Sequence, residues 1–281
     1  MGEWIKLGEI TCPSGVLVIG DGGHLGIWSG ERPPSELDQE FLDVHPARVA
    51  EEPKVPHAER ARQCGDGEFA VFGLPMVAVG GLPVDRSLTV DGIRSPDDEY
   101  SWESLRLAVS DAPVVRSVRL GTICVDWARL FFGDVDALSH WEHHDPIDGL
   151  ADLIFWGRDC EAAAAEFGAT QPGIPGEETS WGWVDLSMRE AVERGRAIVA
   201  WRQEHPEYLM KLDFRPHSHH WQVMAQVRAT AEEAGVVEVG GAQVLFAMTS
   251  WGDGFFPVYA DYDGGDAVAA VRVVLDTEPV Q

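Results

Sequence analysis

The C-terminal end of the chain alternates apolar segments with turns rich in glycine and aspartate, which is typical of an antiparallel sheet. The apolar segments 243–248, 255–262 and 267–275 are rich in valine, alanine and aromatic residues. Two short turns join them, Ser-Trp-Gly-Asp-Gly at 250–254 and Asp-Gly-Gly-Asp at 263–266. We therefore predict three strands that form a β-meander at this end of the fold.

Helix signals are found in the second half of the chain. Four alanines after Asp159 favour a helix that Asp159 caps, and Ser187 and Glu190 have the spacing of a capping box. A further helix begins near Ser218 and ends at Gly235, whose freedom at positive φ suits a helix terminus. The predicted helices are 160–167, 187–205 and 218–235.

The remaining apolar segments are interpreted as strands. Residues 69–79, 114–132 and 150–156 are rich in Val, Phe, Leu and Ile. Residues 16–28 have a glycine-rich turn whose spacing differs from that of dinucleotide-binding loops, and no helix pattern follows, so a β-hairpin is the interpretation. Residues 31–67 are predicted to be a long connection with one short helix at 36–42.

These elements predict an α+β fold, with antiparallel β-sheets from both chain ends and about three packed helices. The proline- and glycine-rich stretch 171–176 is a candidate boundary. It would separate an N-terminal β-rich part with a strand–helix unit, 1–170, from a C-terminal part with two helices and the meander, 177–281. One continuous domain is the alternative.

The net charge of the chain restricts the classes of molecule that it can bind. Among 281 residues, 47 are acidic and 21 are basic, which gives a net charge of −26. Such a surface repels nucleic acid and anionic membranes and attracts a basic protein or a cationic ligand. The alternative is that the charge provides solubility alone.

The sequence also bears on location. The start Met-Gly-Glu-Trp-Ile-Lys has no basic segment followed by an apolar one, and no window approaches the ~20 apolar residues that cross a bilayer. The four cysteines are far apart and form no CxxC pair, which fits reduced thiols. We therefore expect a soluble, cytoplasmic protein.

Six of the ten histidines lie in two short strings, His140, His143 and His144, and His217, His219 and His220. The first string would share one helix face if 135–145 is helical, and the second surrounds the predicted helix start at Ser218. The candidate metal ligands are His140, His144, His217 and His219, with Asp145 or Asp213 as a carboxylate. A divalent metal such as zinc or iron is the implied cofactor. The alternative is that these histidines are exposed or hydrogen-bonded and bind no metal.

The turn at the C-terminal end is a second candidate site. Gly252 and Gly254 flank Asp253 and allow a tight turn with exposed backbone donors, beside which Trp251 would form one wall. We predict that Trp251, Asp253 and Gly254 bind a ligand. The alternative is a turn whose residues have a structural role only.

The same segment resembles a known family. Thr-Ser-Trp-Gly-Asp-Gly-Phe-Phe-Pro-Val-Tyr-Ala-Asp-Tyr-Asp at 249–263, followed by Val-Arg-Val-Val-Leu-Asp at 271–276, is similar to the C-terminal signature of the bacterial domain of unknown function numbered 4241. Pro-Ser-Gly-Val-Leu-Val-Ile-Gly-Asp at 13–21 is similar to its N-terminal strand pair. The resemblance implies a compact, β-rich bacterial module and carries no activity.

Two functional hypotheses follow. The first is a non-enzymatic acidic binding protein, immunity-like or regulatory, that neutralises a basic partner; the charge, the tryptophans and the absence of a catalytic motif in the sequence favour it. The second is a metal-dependent hydrolase that uses the clustered histidines with a nearby carboxylate.

Overall fold

The computed structural model describes residues 3–37, 46–174 and 177–276. The described residues form 15 strands, five α-helices and three short 3-10 helices. The strands are β1 (Ile5–Thr11), β2 (Leu17–Asp21), β3 (Gly67–Val71), β4 (Leu74–Val79), β5 (Ser87–Arg94), β6 (Trp102–Ala108), β7 (Arg116–Val125), β8 (Arg129–Asp134), β9 (Leu150–Trp156), β10 (Trp181–Ser187), β11 (Lys211–Pro216), β12 (Ala234–Val239), β13 (Ala242–Met248), β14 (Gly254–Tyr262) and β15 (Val268–Val274). The α-helices are α1 (Pro46–Glu51), α2 (His57–Cys64), α3 (Cys160–Phe167), α4 (Met188–Glu204) and α5 (His219–Ala229). The 3-10 helices are Gly22–Ile27, Pro34–Glu36 and Ala137–His140.

The chain divides into two compact units. The first combines Met1–Trp141 with Thr230–Gln281, and the second is Glu142–Ala229. The second unit is therefore an insertion in the sequence of the first. The candidate boundary at 171–176 lies within the second unit.

The first unit contains two six-stranded antiparallel sheets. Their strand orders are β1-β5-β6-β15-β14-β7 and β12-β13-β8-β2-β4-β3. Side chains from both sheets, among them Ile10, Leu17, Trp102, Phe132 and Val258, are fully buried in one apolar core. Burial of such apolar surface is the main stabilising contribution to a fold of this kind.

The three C-terminal strands are found where the sequence predicts them, but they belong to two different sheets. β13 lies between β12 and β8, whereas β14 and β15 pair with each other in the other sheet. The residues between β13 and β14 therefore connect the two sheets. Alternation of apolar and polar residues identifies a strand and its buried face, but it does not identify the partner strand.

The predicted hairpin at 16–28 is wrong. β2 is present, but the residues after it form the 3-10 helix Gly22–Ile27. The Asp21 carboxylate accepts a hydrogen bond from the Gly23 N–H and stabilises the start of this helix. A Cβ on Gly22 would collide with the Phe246 ring, so the glycines here permit close packing as well as a turn.

The number of helices is larger than predicted, because the segment interpreted as a long connection contains α1 and α2. α2 buries His57, Ala58 and Ala61. Two alanines and a histidine form too weak an apolar stripe to be recognised as a helix face in the sequence. Of the predicted short helix at 36–42, residues 38–42 lie outside the described residues.

The second unit is a three-stranded antiparallel sheet with α3, α4 and α5, and its strand order is β10-β9-β11. β9 and α3 have their predicted bounds, and the capping box of Ser187 and Glu190 is confirmed at the start of α4. α5 ends at Ala229, earlier than predicted, and Gly235, which was predicted to end it, lies inside β12. No helix in the described ranges is long and apolar enough to cross a bilayer.

Candidate functional site

Two turns of the first unit are hydrogen-bonded to each other. One turn, 126–128, joins β7 to β8, and the other, 249–253, joins β13 to β14. The Thr249 N–H donates to the Ala128 carbonyl at 2.8 Å, and the Ala128 N–H donates to Asp253 Oδ1 at 2.9 Å. We call the exposed side chains of this region the two-turn surface; they are Asp126, Trp127, Trp251, Asp253 and Phe255.

The first turn is hydrogen-bonded to the buried side chain of Asp21, which lies at the end of β2 and is 1% exposed. Its Oδ1 accepts from the Gly23 N–H at 2.6 Å, and its Oδ2 accepts from the backbone N–H groups of Asp126 and Trp127. Ala128 has a φ of 53°, in the left-handed region that alanine disfavours. The hydrogen bonds to Asp21 and Asp253 therefore maintain a turn that the local sequence does not favour.

The second turn is fixed by side chains of its own. Thr249 Oγ1 donates to the Gly252 carbonyl at 2.7 Å, and Ser250, with a φ of 59°, accepts at Oγ from the Trp102 N–H at 2.8 Å. The Trp251 indole N–H donates to the Trp102 carbonyl at 2.7 Å. Trp251 is therefore held in one orientation although much of its ring faces solvent.

Three aromatic side chains of the two-turn surface are largely exposed: Trp127 at 54%, Trp251 at 45% and Phe255 at 66%. Phe255 faces outward because β14 alternates, with Phe256 on the buried face. Several exposed aromatic side chains on one surface are typical of interaction sites.

The two-turn surface is also acidic. Burial raises the pKa of the Cys124 thiol, and the negative charges of Asp126, Asp21 and Asp253 raise it further, which places the three carboxylates around this side chain. The Arg129 guanidinium lies over the Trp127 ring, 5.5 Å from its centroid. One face of the Trp127 ring is therefore covered by this chain's own guanidinium, so a cationic group of a ligand would reach the exposed Asp126 and Asp253 carboxylates and the exposed part of the Trp251 ring.

The predicted ligand-binding residues Trp251, Asp253 and Gly254 all lie at this surface. Because Asp253 accepts a backbone hydrogen bond, it has at least a structural role, and its binding of a ligand stays a prediction. Sequence reasoning did not name Asp126 or Phe255 as site residues, and it placed Trp127 inside the predicted strand region 114–132. Asp126 interrupts the apolar run of that region, and this was the available signal of a turn.

The histidine strings are arranged differently from the prediction. His140 lies in the first unit, at the end of the 3-10 helix Ala137–His140, whereas His144, His217 and His219 lie in the second. The helix over 135–145 that a shared histidine face would require is not formed, because the chain becomes extended at Trp141, whose ring stacks on Phe246 at 5.3 Å. Burial of this indole outweighs continuation of the helix.

Within the second unit, residues of the two strings do meet. The His143 ring stacks on His220 at 4.2 Å and contacts His144 edge-on at 4.6 Å. His219 Nδ1 accepts a hydrogen bond from the Glu142 N–H at 2.9 Å, and burial lowers the pKa of His219. The contacts that join the strings thus involve His143 and His220, which were not predicted as ligands.

His217 belongs to a different group. His217 forms a group with Asp152 and Asp185, and their ligand atoms all lie within 4.8 Å of one another. In the described part of the chain, no other group of three or more His, Cys, Asp or Glu side chains meets this limit. His217 Nε2 is 2.9 Å from Asp152 Oδ1, and its Nδ1 is 2.9 Å from Asp148 Oδ2. Asp185 reaches the group from a bulge in β10, where its φ is 53° and its N–H donates to Asp152 Oδ1.

This group is consistent with two kinds of chemistry. Burial opposes protonation of His217, but its hydrogen bonds to Asp152 and Asp148 outweigh burial and raise its pKa, which favours an imidazolium between two carboxylates. A histidine whose Nδ1 bonds a carboxylate while Nε2 faces further oxygen ligands is also the arrangement of many metal sites. The sequence missed Asp152 because it lies inside an apolar strand; a carboxylate in such a strand was the available signal.

Comparison of the chain with known proteins gave no match: no family model fits it, and neither a curated protein nor a solved structure is similar to it. The resemblance to the bacterial domain numbered 4241 therefore stays a prediction.

Proposed function

We propose that this protein is a non-enzymatic binding protein, immunity-like or regulatory, that captures a basic segment of a partner protein on the two-turn surface. The observation that carries the proposal is the set of three exposed aromatic side chains, Trp127, Trp251 and Phe255, beside exposed carboxylates of Asp126 and Asp253. The net charge of −26 supports it, because such a charge accelerates encounter with a basic partner.

The two-turn surface is suited to binding because its anchors are already ordered. The Trp251 side chain is fixed by its hydrogen bond to Trp102, and the turn that carries Trp127 is fixed by backbone hydrogen bonds to Asp21. A partner therefore loses less free energy to the ordering of side chains on this surface. A Lys or Arg of the partner would lie over the exposed part of the Trp251 ring and beside a carboxylate, and such a cation–π contact contributes about 0.5–2 kcal/mol.

The experiment uses an arginine- and lysine-rich peptide and the full chain, with affinity measured by calorimetry at low salt. We expect Trp127→Ala and Trp251→Ala each to lower the affinity for the peptide by about tenfold, the loss typical of an aromatic anchor. Phe255→Ala is compared with Phe214→Ala, a matched control on β11 in the second unit that is 37% exposed. Phe214→Ala is expected to bind as the parent protein does.

Two outcomes would overturn the proposal. One is the absence of peptide binding by the parent protein at low ionic strength. The other is binding that the three surface variants leave unchanged, because the attraction would then depend on net charge alone. Thermal melting of each variant separates loss of the surface from loss of the fold.

A metal-dependent hydrolase is the second candidate function, and the group of Asp152, Asp185 and His217 favours it. One divalent ion would bind His217 Nε2 and the two carboxylates, with Asp148 orienting the imidazole through Nδ1. Metal analysis of tag-free protein tests it. We expect one equivalent of zinc or manganese in the parent and in His144→Gln, and none in His217→Gln; a parent protein that binds no metal excludes this candidate.

A further inference from the structure

The second unit contains a cavity of about 570 Å³ beyond the end of β9. Its walls include the aromatic residues Trp156 and Tyr208, the apolar Leu209 and the basic residues Arg158, Arg202 and Lys211. The volume lies within the range of sites that bind small molecules, about 300–1,000 Å³. The Asp152, Asp185 and His217 side chains do not line it.

The charge of this cavity is opposite to that of the chain. Three of the described residues that line it are basic and none is acidic, although the chain has 47 acidic and 21 basic residues. Arg158 is neutralised by Asp159, whose Oδ2 is 2.8 Å from its guanidinium. Arg202 and Lys211 make no ion pair with any described residue, and Arg202 donates one long hydrogen bond of 3.5 Å to the Met210 carbonyl. These two cations are available to a ligand.

The walls of the cavity are held in place by hydrogen bonds between two segments. Arg158 donates to the Glu207 carbonyl at 3.0 Å, and the Leu209 N–H donates to Asp159 Oδ2 at 2.8 Å. Tyr208 stacks on Trp201, with ring centroids 5.1 Å apart and planes 3° apart. A ligand would therefore enter a site that is already formed, and ordering of the protein would cost little affinity.

We propose that this cavity binds a small organic anion, a carboxylate, sulfonate or phosphate attached to a flat apolar body. Arg202 and Lys211 bind the anionic group, since a guanidinium and an ammonium both donate charge-assisted hydrogen bonds to such oxygens. The apolar body lies against Trp156, Tyr208 and Leu209, of which Leu209 is 60% exposed. This site is independent of the proposed capture of a basic partner on the first unit.

The test compares two probes of the same shape, 2-naphthoate and the neutral 2-naphthamide, by calorimetry with the full chain. We expect naphthoate to bind more tightly than naphthamide. Arg202→Gln and Lys211→Gln should each lower the affinity for naphthoate by about 3- to 10-fold and leave the affinity for naphthamide unchanged. Leu209→Ser, by contrast, should weaken both probes to a similar extent, because it removes apolar contact and no charge.

Arg189→Gln is the matched control, since it removes one positive charge from an exposed residue outside the cavity. It should bind both probes as the parent does. The proposal is overturned if naphthoate does not bind, if the two probes bind equally, or if Arg189→Gln loses as much affinity as Arg202→Gln. All four substitutions replace exposed side chains, so the fold is expected to survive, and thermal melting verifies it.

Discussion

Replacement of Asp21 tests how the two-turn surface is built. The carboxylate is 1% exposed and accepts hydrogen bonds from three backbone N–H groups, those of Gly23, Asp126 and Trp127. Hydrogen bonds to a charged group contribute about 1.5–3 kcal/mol each, but the turn 126–128 lies at the surface, where water can replace part of the lost interaction. We therefore expect Asp21→Ala to lower the free energy of unfolding of the first unit by about 2–4 kcal/mol.

Asp21→Asn separates the charge from the geometry. An amide has one acceptor oxygen, whereas the donors are divided between both carboxylate oxygens, so the NH₂ group must face at least one N–H. We expect a loss of about 1.5–3 kcal/mol, smaller than that of the alanine variant. The same variants should also weaken binding of the basic peptide, because the turn that carries Trp127 loses its backbone hydrogen bonds.

Urea unfolding followed by tryptophan fluorescence and by far-UV circular dichroism measures the loss. The two units can unfold separately, so the transition that changes in the Asp21 variants is assigned to the first unit. Asp126→Asn is the control, because its side chain is 58% exposed and a change there should cost less than about 0.5 kcal/mol. A loss below about 1 kcal/mol for Asp21→Ala would refute the reasoning that this carboxylate holds the turn.

Three further predictions each concern the contribution of one side chain to stability. Asp253→Ala removes one exposed hydrogen bond to Ala128 and should cost about 0.5–1.5 kcal/mol by urea unfolding, while its peptide affinity falls by more than that cost explains if Asp253 also binds the partner. Ser187→Ala removes the capping-box hydroxyl of α4 and should lower the stability of the second unit by about 1 kcal/mol, whereas Ser187→Thr should not. The pKa of His57 is lowered mainly by burial, so the unfolded chain binds this proton more readily than the folded chain. The contribution of His57 to the free energy of unfolding is therefore complete above pH 6.5, and it is lost as the pH decreases from 6.5 towards the pKa of the folded state. Melting temperatures between about pH 7.5 and 5 should decrease less steeply in His57→Gln than in the parent, and an equal slope would contradict this assignment.

Local signals in the sequence were sufficient for part of the fold. The capping box of Ser187 and Glu190, the strand β9 and the alanine-rich α3 were all predicted within a residue of their bounds. In each case neighbouring residues determine the conformation through propensity, capping or a continuous apolar run. Strand partners depend on contacts between distant residues, which explains why β13 and β14 were predicted to be neighbours and are not.

The candidate sites depended on distant contacts even more. The two turns that carry Trp127 and Trp251 are joined by the bonds of Ala128 to Thr249 and Asp253, more than 100 residues away, and no local pattern encodes this pairing. The second turn could be predicted from the sequence, because its glycines and tryptophan are adjacent in the chain. Likewise, His217 was identified as a candidate ligand, but its partners Asp152 and Asp185 are brought to it by the pairing of β9 with β10 and β11.

The interruption of the first unit in the sequence has a consequence for how the chain matures on the ribosome. The last strands fill interior positions: β14 and β15 lie between β6 and β7, and β13 lies between β12 and β8. Until they emerge, the nascent chain presents the facing edges of β6 and β7 without partners, and such edges promote aggregation. The second unit, by contrast, is continuous in sequence and can complete its sheet while the rest is still being translated. Production of this protein should therefore depend most on chaperones during synthesis of residues 142–274, before the first unit has received its final strands.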